Sequence, residues 1–266
     1  MGADFPFKVT VHGDVQSTSI SVNAGAGQWN IPEEVPIAFV YNRRNYAVMM
    51  GTPDNLDDFA LGFSLTEEVV KSASEIKSLD IHLTEQGADL RFKVSADAIE
   101  RLDMTLRRRN MVGASSCGLC GLETVESLFK VLLNVADRTI SLDDEAIRAS
   151  MAALTSRQPL NQLTRSVHAA AWVSHNGLIE LIREDVGRHN ALDKLLGAME
   201  ANDMVVQSGF VLMSSRCSYE IVEKAARRGV QAIVSISGPT AFALRKAKEA
   251  NMAVYSRLGE GAVRLL

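Results

Sequence analysis

Ser115-Ser116-Cys117-Gly118-Leu119-Cys120-Gly121 is the segment with the most chemistry in it: two thiols two residues apart, flanked by glycines, just ahead of an apolar run with helical spacing. Unpaired N–H groups and partial positive charge at a helix start favour thiolate over thiol, and glycine leaves the sulfur approachable. A low-pKa, accessible cysteine suits redox exchange, metal ligation or sulfur transfer, and the spacing alone does not choose among them. A structural zinc site would want a second CxxC or a paired-histidine set. The five histidines, His12, His82, His168, His175 and His189, show no paired spacing, and none sits in an H-x-E arrangement of the zinc deaminases. A thioredoxin-like motif would follow a strand near the chain start, whereas this one lies mid-chain. Arg107, Arg108 and Arg109 stand a short way upstream, where they bias a thiol towards thiolate, greet an anion, or form a solvated basic run.

A second polar cluster is Arg183-Glu184-Asp185-Val186-Gly187-Arg188-His189-Asn190, placed between a predicted strand and a predicted helix. Ser214-Ser215-Arg216-Cys217 and Ser237-Gly238-Pro239-Thr240 stand at the ends of two further predicted strands. Each could simply cap the helix that follows. Their recurrence on one side of a sheet instead suggests a shared crevice, and backbone N–H groups at such turns suit a phosphate-bearing ligand.

The elements that must position these residues divide into two parts. Short strands are expected at 9–11, 19–22, 37–40 and 45–50, a helix opening at Thr52-Pro53-Asp54, and a hairpin of 79–83 with 90–94. From Met104 to Ser116 periodicity fades, and the segment reads as a connector. Val125, Leu128, Phe129, Leu132 and Leu133 then fit one face of a helix. Beyond residue 168 strands and helices alternate: 169–173, 178–182, helix 190–199, strand 210–213, helix 219–228, strand 232–235, helix 241–250 and strand 253–255. That alternation indicates a layered α/β domain with parallel pairings. The expected division is a mixed strand and helix domain over 1–108 and a C-terminal α/β/α domain over 109–266, introduced by the CxxC loop.

Composition narrows the class. The 266 residues are 47% hydrophobic and 23% charged, ordinary for a globular protein and enough for a substantial core. A net charge of −4 supplies no global field for nucleic acid, and no run of eighteen apolar residues marks a membrane span. The N-terminus lacks the pattern of a signal peptide. Three cysteines form no secreted disulfide framework, so a reducing, cytoplasmic setting is expected.

Together these stretches resemble the FdhD family of formate dehydrogenase accessory sulfurtransferases. The resemblance is carried by DNLDDFALGFSLTEEVV (Asp54 to Val70), SSCGLCG (Ser115 to Gly121), REDVGRHNALDK (Arg183 to Lys194) and SSRCSYEIVEKAARRGV (Ser214 to Val230). It continues through SISGPTAFALRKA (Ser235 to Ala247) and covers most of the chain from Ile31 onward. It implies a sulfurtransferase that accepts persulfide sulfur from a cysteine desulfurase and passes it to the molybdenum (or tungsten) bis(molybdopterin guanine dinucleotide) cofactor of formate dehydrogenase. It further implies a homodimer and a C-terminal domain like the cytidine-deaminase fold. Carried over, Cys117 is the persulfide carrier and Cys120 assists or resolves. The family's C-terminal cofactor stretch maps onto Tyr255, Ser256, Arg257, Leu258, Gly259 and Glu260. Arg183, Asp185, Gly187, Arg188, His189, Ser215, Arg216 and Gly238 are expected to line the same pocket, with no permanent metal. The sequence departs from the family pattern at Thr164-Arg165-Ser166, where Thr-Gly-Gly is usual, in the C-terminal stretch itself, and at Cys217, where alanine is usual.

Overall fold

The computed structural model describes residues 5–25, 27–111, 132–137, 139–259 and 261–266. The chain first builds a five-stranded sheet from β1 (Lys8–His12), β4 (Val35–Tyr41), β5 (Arg44–Gly51), β6 (Ile76–Thr84) and β7 (Gly87–Val94), in the order β1-β6-β7-β4-β5. The strands β2 (Ser19–Ala24) and β3 (Gly27–Pro32) pair separately as a hairpin. Alternation decides which face is buried: Ile37, Phe39 and Tyr41 of β4, Leu79 and Ile81 of β6, and Leu90 and Phe92 of β7 all point inward. They meet α1 (Leu56–Thr66), whose Phe63 ring lies 4.0 Å from that of Phe39, and Leu102 of α2 (Ala96–Met111). Each such aromatic or aliphatic side chain contributes about 1.5–3 kcal/mol by leaving water.

Two expectations need correction here. The helix after Pro53 begins only at Leu56, because Asn55 takes a left-handed conformation (φ 48°) just before it. Residues 104–111 are not a connector but the last turns of α2, which runs through the expected boundary at 108/109 to Met111. Leucine, methionine and arginine are all good helix formers, and the Ser95 hydroxyl starts the helix by accepting from the Ala98 amide at 3.2 Å.

The second half builds a six-stranded sheet from β8 (His168–Ser174), β9 (Ile179–Asp185), β10 (Gly209–Arg216), β11 (Ala232–Ser237), β12 (Ala253–Leu258) and β13 (Gly261–Arg264), in the order β13-β12-β11-β10-β8-β9. The three central strands β10, β11 and β12 are parallel, whereas β8, β9 and β13 are antiparallel to their neighbours. Both faces are covered. Val211, Met213, Ile233 and Val254 pack under α5 (Arg188–Ala201), α6 (Tyr219–Arg227) and α7 (Ala241–Glu249). Phe210, Leu212, Val234 and Tyr255 face the other way, against Ile147 and Leu154 of α3 (Asp144–Leu154). The short helix α4 (Pro159–Thr164) leads into β8. The result is a mixed α/β protein whose second sheet lies between two helical layers.

The apolar run expected to be helical through Leu133 lies mostly outside the described residues. Its end, 132–134, is not helical: Leu132 packs on the core and Leu133 is exposed. Among the described residues no helix is long and apolar enough to cross a membrane.

The halves of the molecule meet where α1 crosses α5. A Cβ on Gly62 would fall 1.7 Å from the Asp193 carbonyl oxygen, and one on Gly197 would fall 1.9 Å from that of Asp58. Only glycine at both positions lets the two backbones approach so closely.

Candidate functional site

The direction of the strands assembles one edge of the six-stranded sheet. The C-terminal ends of β9, β10, β11 and β12 lie along it, and antiparallel β8 contributes its first residue, with His168 in register with Asp185. Helices α5, α6 and α7 begin there with Gly187, Ser218 and Thr240 as N-caps. The connecting turns touch one another. The Ser214 hydroxyl accepts from the Ala169 amide at 2.8 Å, the Thr240 amide donates to the Cys217 carbonyl at 3.0 Å, and His189 Nε2 lies 3.2 Å from Ser218 Oγ.

Arg188, His189, Arg216, Gly238, Arg257 and Leu258 are therefore neighbours on one rim. Arg216 is exposed, a Cβ on Gly238 would meet nothing within 4 Å, and Leu258 is exposed beside Arg257, whose Nε donates to the Gly259 carbonyl at 3.0 Å. Gly259 turns the chain at φ +61° into β13. Ser256 and Ser215 are buried beneath this rim, and Ser215 Oγ donates to the Arg216 carbonyl at 3.0 Å.

Electrostatics at the rim favour an anion. Thr240 caps α7 by accepting from the Ala243 amide at 3.1 Å. Neither Gly187 nor Ser218 supplies a side-chain cap, so the starts of α5 and α6 keep first-turn N–H groups without one. The Arg188 Nε is buried with no hydrogen-bond partner among the described residues. Burial, followed by the positive charge of Arg188, holds His168 below its ordinary pKa. Glu220 is held below the usual carboxylate value by its hydrogen bond from His189, whose Nε2 lies 2.8 Å from Glu220 Oε2.

Three residues expected at the ligand are engaged inside the protein instead. Asp185 is fully buried: Oδ2 pairs with Lys194 Nζ at 2.7 Å and accepts from the Thr52 amide at 3.0 Å, while Oδ1 accepts from the Gly187 amide at 2.7 Å and Asn190 Nδ2 at 3.0 Å. A carboxylate so desolvated needs these donors, and they leave none of it for a ligand. Arg183 Nε reaches across to Asp58 Oδ2 at 2.7 Å. Tyr255 is buried on the α3 side of the sheet, where its hydroxyl accepts from the Leu142 amide at 2.9 Å; strand alternation turns it away from the α5 face. A Cβ at Gly187 would lie 2.9 Å from Asn190 Nδ2, so a larger residue there would displace the Asn190 side chain.

Sequence reasoning did not foresee the clamp behind the rim. Lys194 Nζ donates to the Thr52 carbonyl at 2.9 Å, and the Val186 amide donates to the Thr52 hydroxyl at 3.2 Å. The preceding residue, Asp193, accepts from Thr66 Oγ1 at 2.7 Å and pairs with Lys224 Nζ at 2.9 Å, and Lys224 also reaches Glu67 at 3.1 Å. The available signal was the charged pair Asp193-Lys194 set inside the apolar run of α5, where every neighbouring position is buried.

Cys217, whose role the sequence leaves open, belongs to the core under α6 and α7, and burial pushes its thiol up to about 12. Cys117, Cys120 and Glu260 lie outside the described residues.

Comparison with known proteins agrees with this architecture. The sulfur carrier protein FdhD of Cupriavidus necator is 42% identical over 232 residues, 87% of this chain and 80% of that protein. Its counterpart in Xanthomonas euvesicatoria is 41% identical over 222 residues, 84% of this chain and 78% of that protein. The crystal structure of a protein described as a formate dehydrogenase accessory protein, from Desulfotalea psychrophila, superposes with a TM-score of 0.67 at 24% identity, covering 92% of this chain and 94% of that one, which shows the shared fold. The FdhD/NarQ family model matches residues 32–264, and the chain belongs to that family.

Proposed function

We propose that this protein is a sulfur carrier for formate dehydrogenase, taking sulfur from a cysteine desulfurase as a persulfide on Cys117 and delivering it to the molybdenum bis(molybdopterin guanine dinucleotide) cofactor. The observation that carries this reading is the fate of the third cysteine. With Cys217 buried and its thiol pushed up to about 12, nucleophilic sulfur chemistry falls to Cys117 and Cys120 of the SSCGLCG motif. The names of the relatives, sulfur carrier protein FdhD, support the same reading.

In the loading step the Cys117 thiolate attacks the terminal sulfur of the donor persulfide. The donor's S–S bond breaks, its cysteine leaves as a thiolate, and Cys117 holds the new S–S bond. Cys120 is the assisting thiol. The cofactor is the substrate of the delivery step, and the rim suits its pyrophosphates. Helix starts at Arg188 and Tyr219 offer amides without side-chain caps, and Arg188, Arg216 and Arg257 supply positive charge.

Formate dehydrogenase activity in cells supplied with a Cys117→Ala/Cys120→Ala variant tests the reading. Loss of activity with normal protein level is expected. Retained activity would favour a chaperone that shelters the cofactor without carrying sulfur.

A further inference from the structure

The five-stranded sheet has a second face, turned away from α1 and α2, and its side chains form ordered rows. Lys8, Ser78 and Lys93 stand in register across β1, β6 and β7. Thr10, Asp80 and Arg91 form the next row, with Val40 of β4 beside Arg91, and His12, His82 and Asp89 form the third. The face is thus polarised. Asp89 is held by Arg91 Nη2 at 2.6 Å, and Asp80 stands in register with Arg91 and lies 3.8 Å from His12 Nε2. At the other end Lys8 and Lys93 are exposed, with no ion pair among the described residues.

A cavity of about 610 Å³ opens on this face, lined at one end by Arg43, Arg91 and Lys93 and towards the other by Asp80, His82 and Asp89. Arg43 is the unusual member. Asn42 and Arg43 form the two-residue turn between β4 and β5, with φ of 44° and 68°. Such a hairpin turn needs both residues left-handed, and asparagine followed by glycine satisfies it at least strain. Asn42 is anchored, its amide donating to the Phe92 carbonyl at 2.9 Å and its side-chain oxygen accepting from the Val94 amide at 2.9 Å. Arg43 takes the position glycine would fill, and its side chain has no hydrogen bond or ion pair among the described residues to offset the strain. Among the described residues nothing offsets that strain, and an exposed cation held at such a cost is a candidate for contact with a partner.

We infer that this basic end of the sheet is a docking site for an acidic segment of a partner protein, with Arg43 and Lys93 receiving its carboxylates. Charge complementarity selects that occupant. A polynucleotide would bring a continuous row of phosphates over Asp80 and Asp89 and approach a chain of net charge −4. A peptide can place carboxylates opposite the cations and uncharged residues opposite the acids. The inference is independent of the sulfur-carrier reading.

Fluorescence anisotropy of the full chain with a labelled oligoglutamate tests it, with an oligothymidylate of equal length and inorganic phosphate as comparison arms. Saturable binding of oligoglutamate that weakens with salt is expected, reduced about tenfold by Lys93→Glu. Arg43→Gly should also weaken binding while raising the melting temperature, an opposition that a purely structural arginine would not produce. Unchanged affinity in both variants, a lower melting temperature for Arg43→Gly, or preferential binding of oligothymidylate or phosphate would overturn the proposal.

Discussion

Lys194 Nζ lies 2.7 Å from Asp185 Oδ2, with both side chains wholly shielded from water, and the same ammonium group holds the Thr52 carbonyl at 2.9 Å. Lys194 and Asp185 come from α5 and the end of β9, and Thr52 from the loop ahead of α1. The pair therefore ties the loop between β5 and α1 to the base of the candidate ligand rim.

Removing one member strands the other. Lys194→Met should cost about 3–5 kcal/mol in chemical denaturation, since a buried carboxylate then loses its counter-charge. Asp185→Asn should destabilise by a similar amount, whereas a surface pair such as Arg148 with Glu145 should give less than about 1 kcal/mol on truncation.

The helix crossing allows a second prediction. Gly62→Ala should force α1 and α5 apart, because the added methyl would meet the Asp193 carbonyl at 1.7 Å. A loss of roughly 3 kcal/mol is expected, in the range of overpacking penalties. Gly238→Ala, with nothing within 4 Å of the added carbon, should leave stability nearly unchanged.

Burial raises Asp58 from 3.8 to about 6 despite the pull of Arg183. The folded state then binds this proton more tightly than the unfolded state, so the associated stability is full below pH 3.8 and is lost as pH rises through about 6. The gap of about two pKa units corresponds to about 3 kcal/mol. Wild type measured against Asp58→Asn should lose relative stability between those limits and run parallel to it above them; a flat difference across the window would contradict the assignment.

At the rim, Arg188→Ala should weaken binding of a guanine nucleotide about tenfold with the melting temperature little changed, because one charge-assisted contact is removed. Equal affinity in the variant would remove Arg188 from the binding surface.

Much of this arrangement was legible in the sequence. Ile37, Phe39 and Tyr41 alternate as a half-buried strand must, and the turns after β9, β10 and β11 fall on one edge as expected, because these three strands run in the same direction even though antiparallel β8 separates β9 from β10. The roles of individual polar residues were less legible. Asp185 and Arg183 read as ligand contacts because local sequence cannot show that Lys194 and Asp58 stand opposite them. Tyr255 was assigned by its place in a family stretch, while pleat parity turns it to the α3 side. Nor can local sequence show that Cys217, at a polar turn, points into the core under α6 and α7.

The sulfur-carrier proposal rests on Cys117 as the thiol that holds the sulfur. Intact-mass spectrometry of wild type, Cys117→Ala and Cys217→Ala, each incubated with a cysteine desulfurase and cysteine, tests it most directly. One added sulfur atom is expected on wild type and on Cys217→Ala, removable by a thiol reductant, and none on Cys117→Ala. A sulfur adduct persisting on Cys117→Ala, or lost with Cys217→Ala, would contradict it.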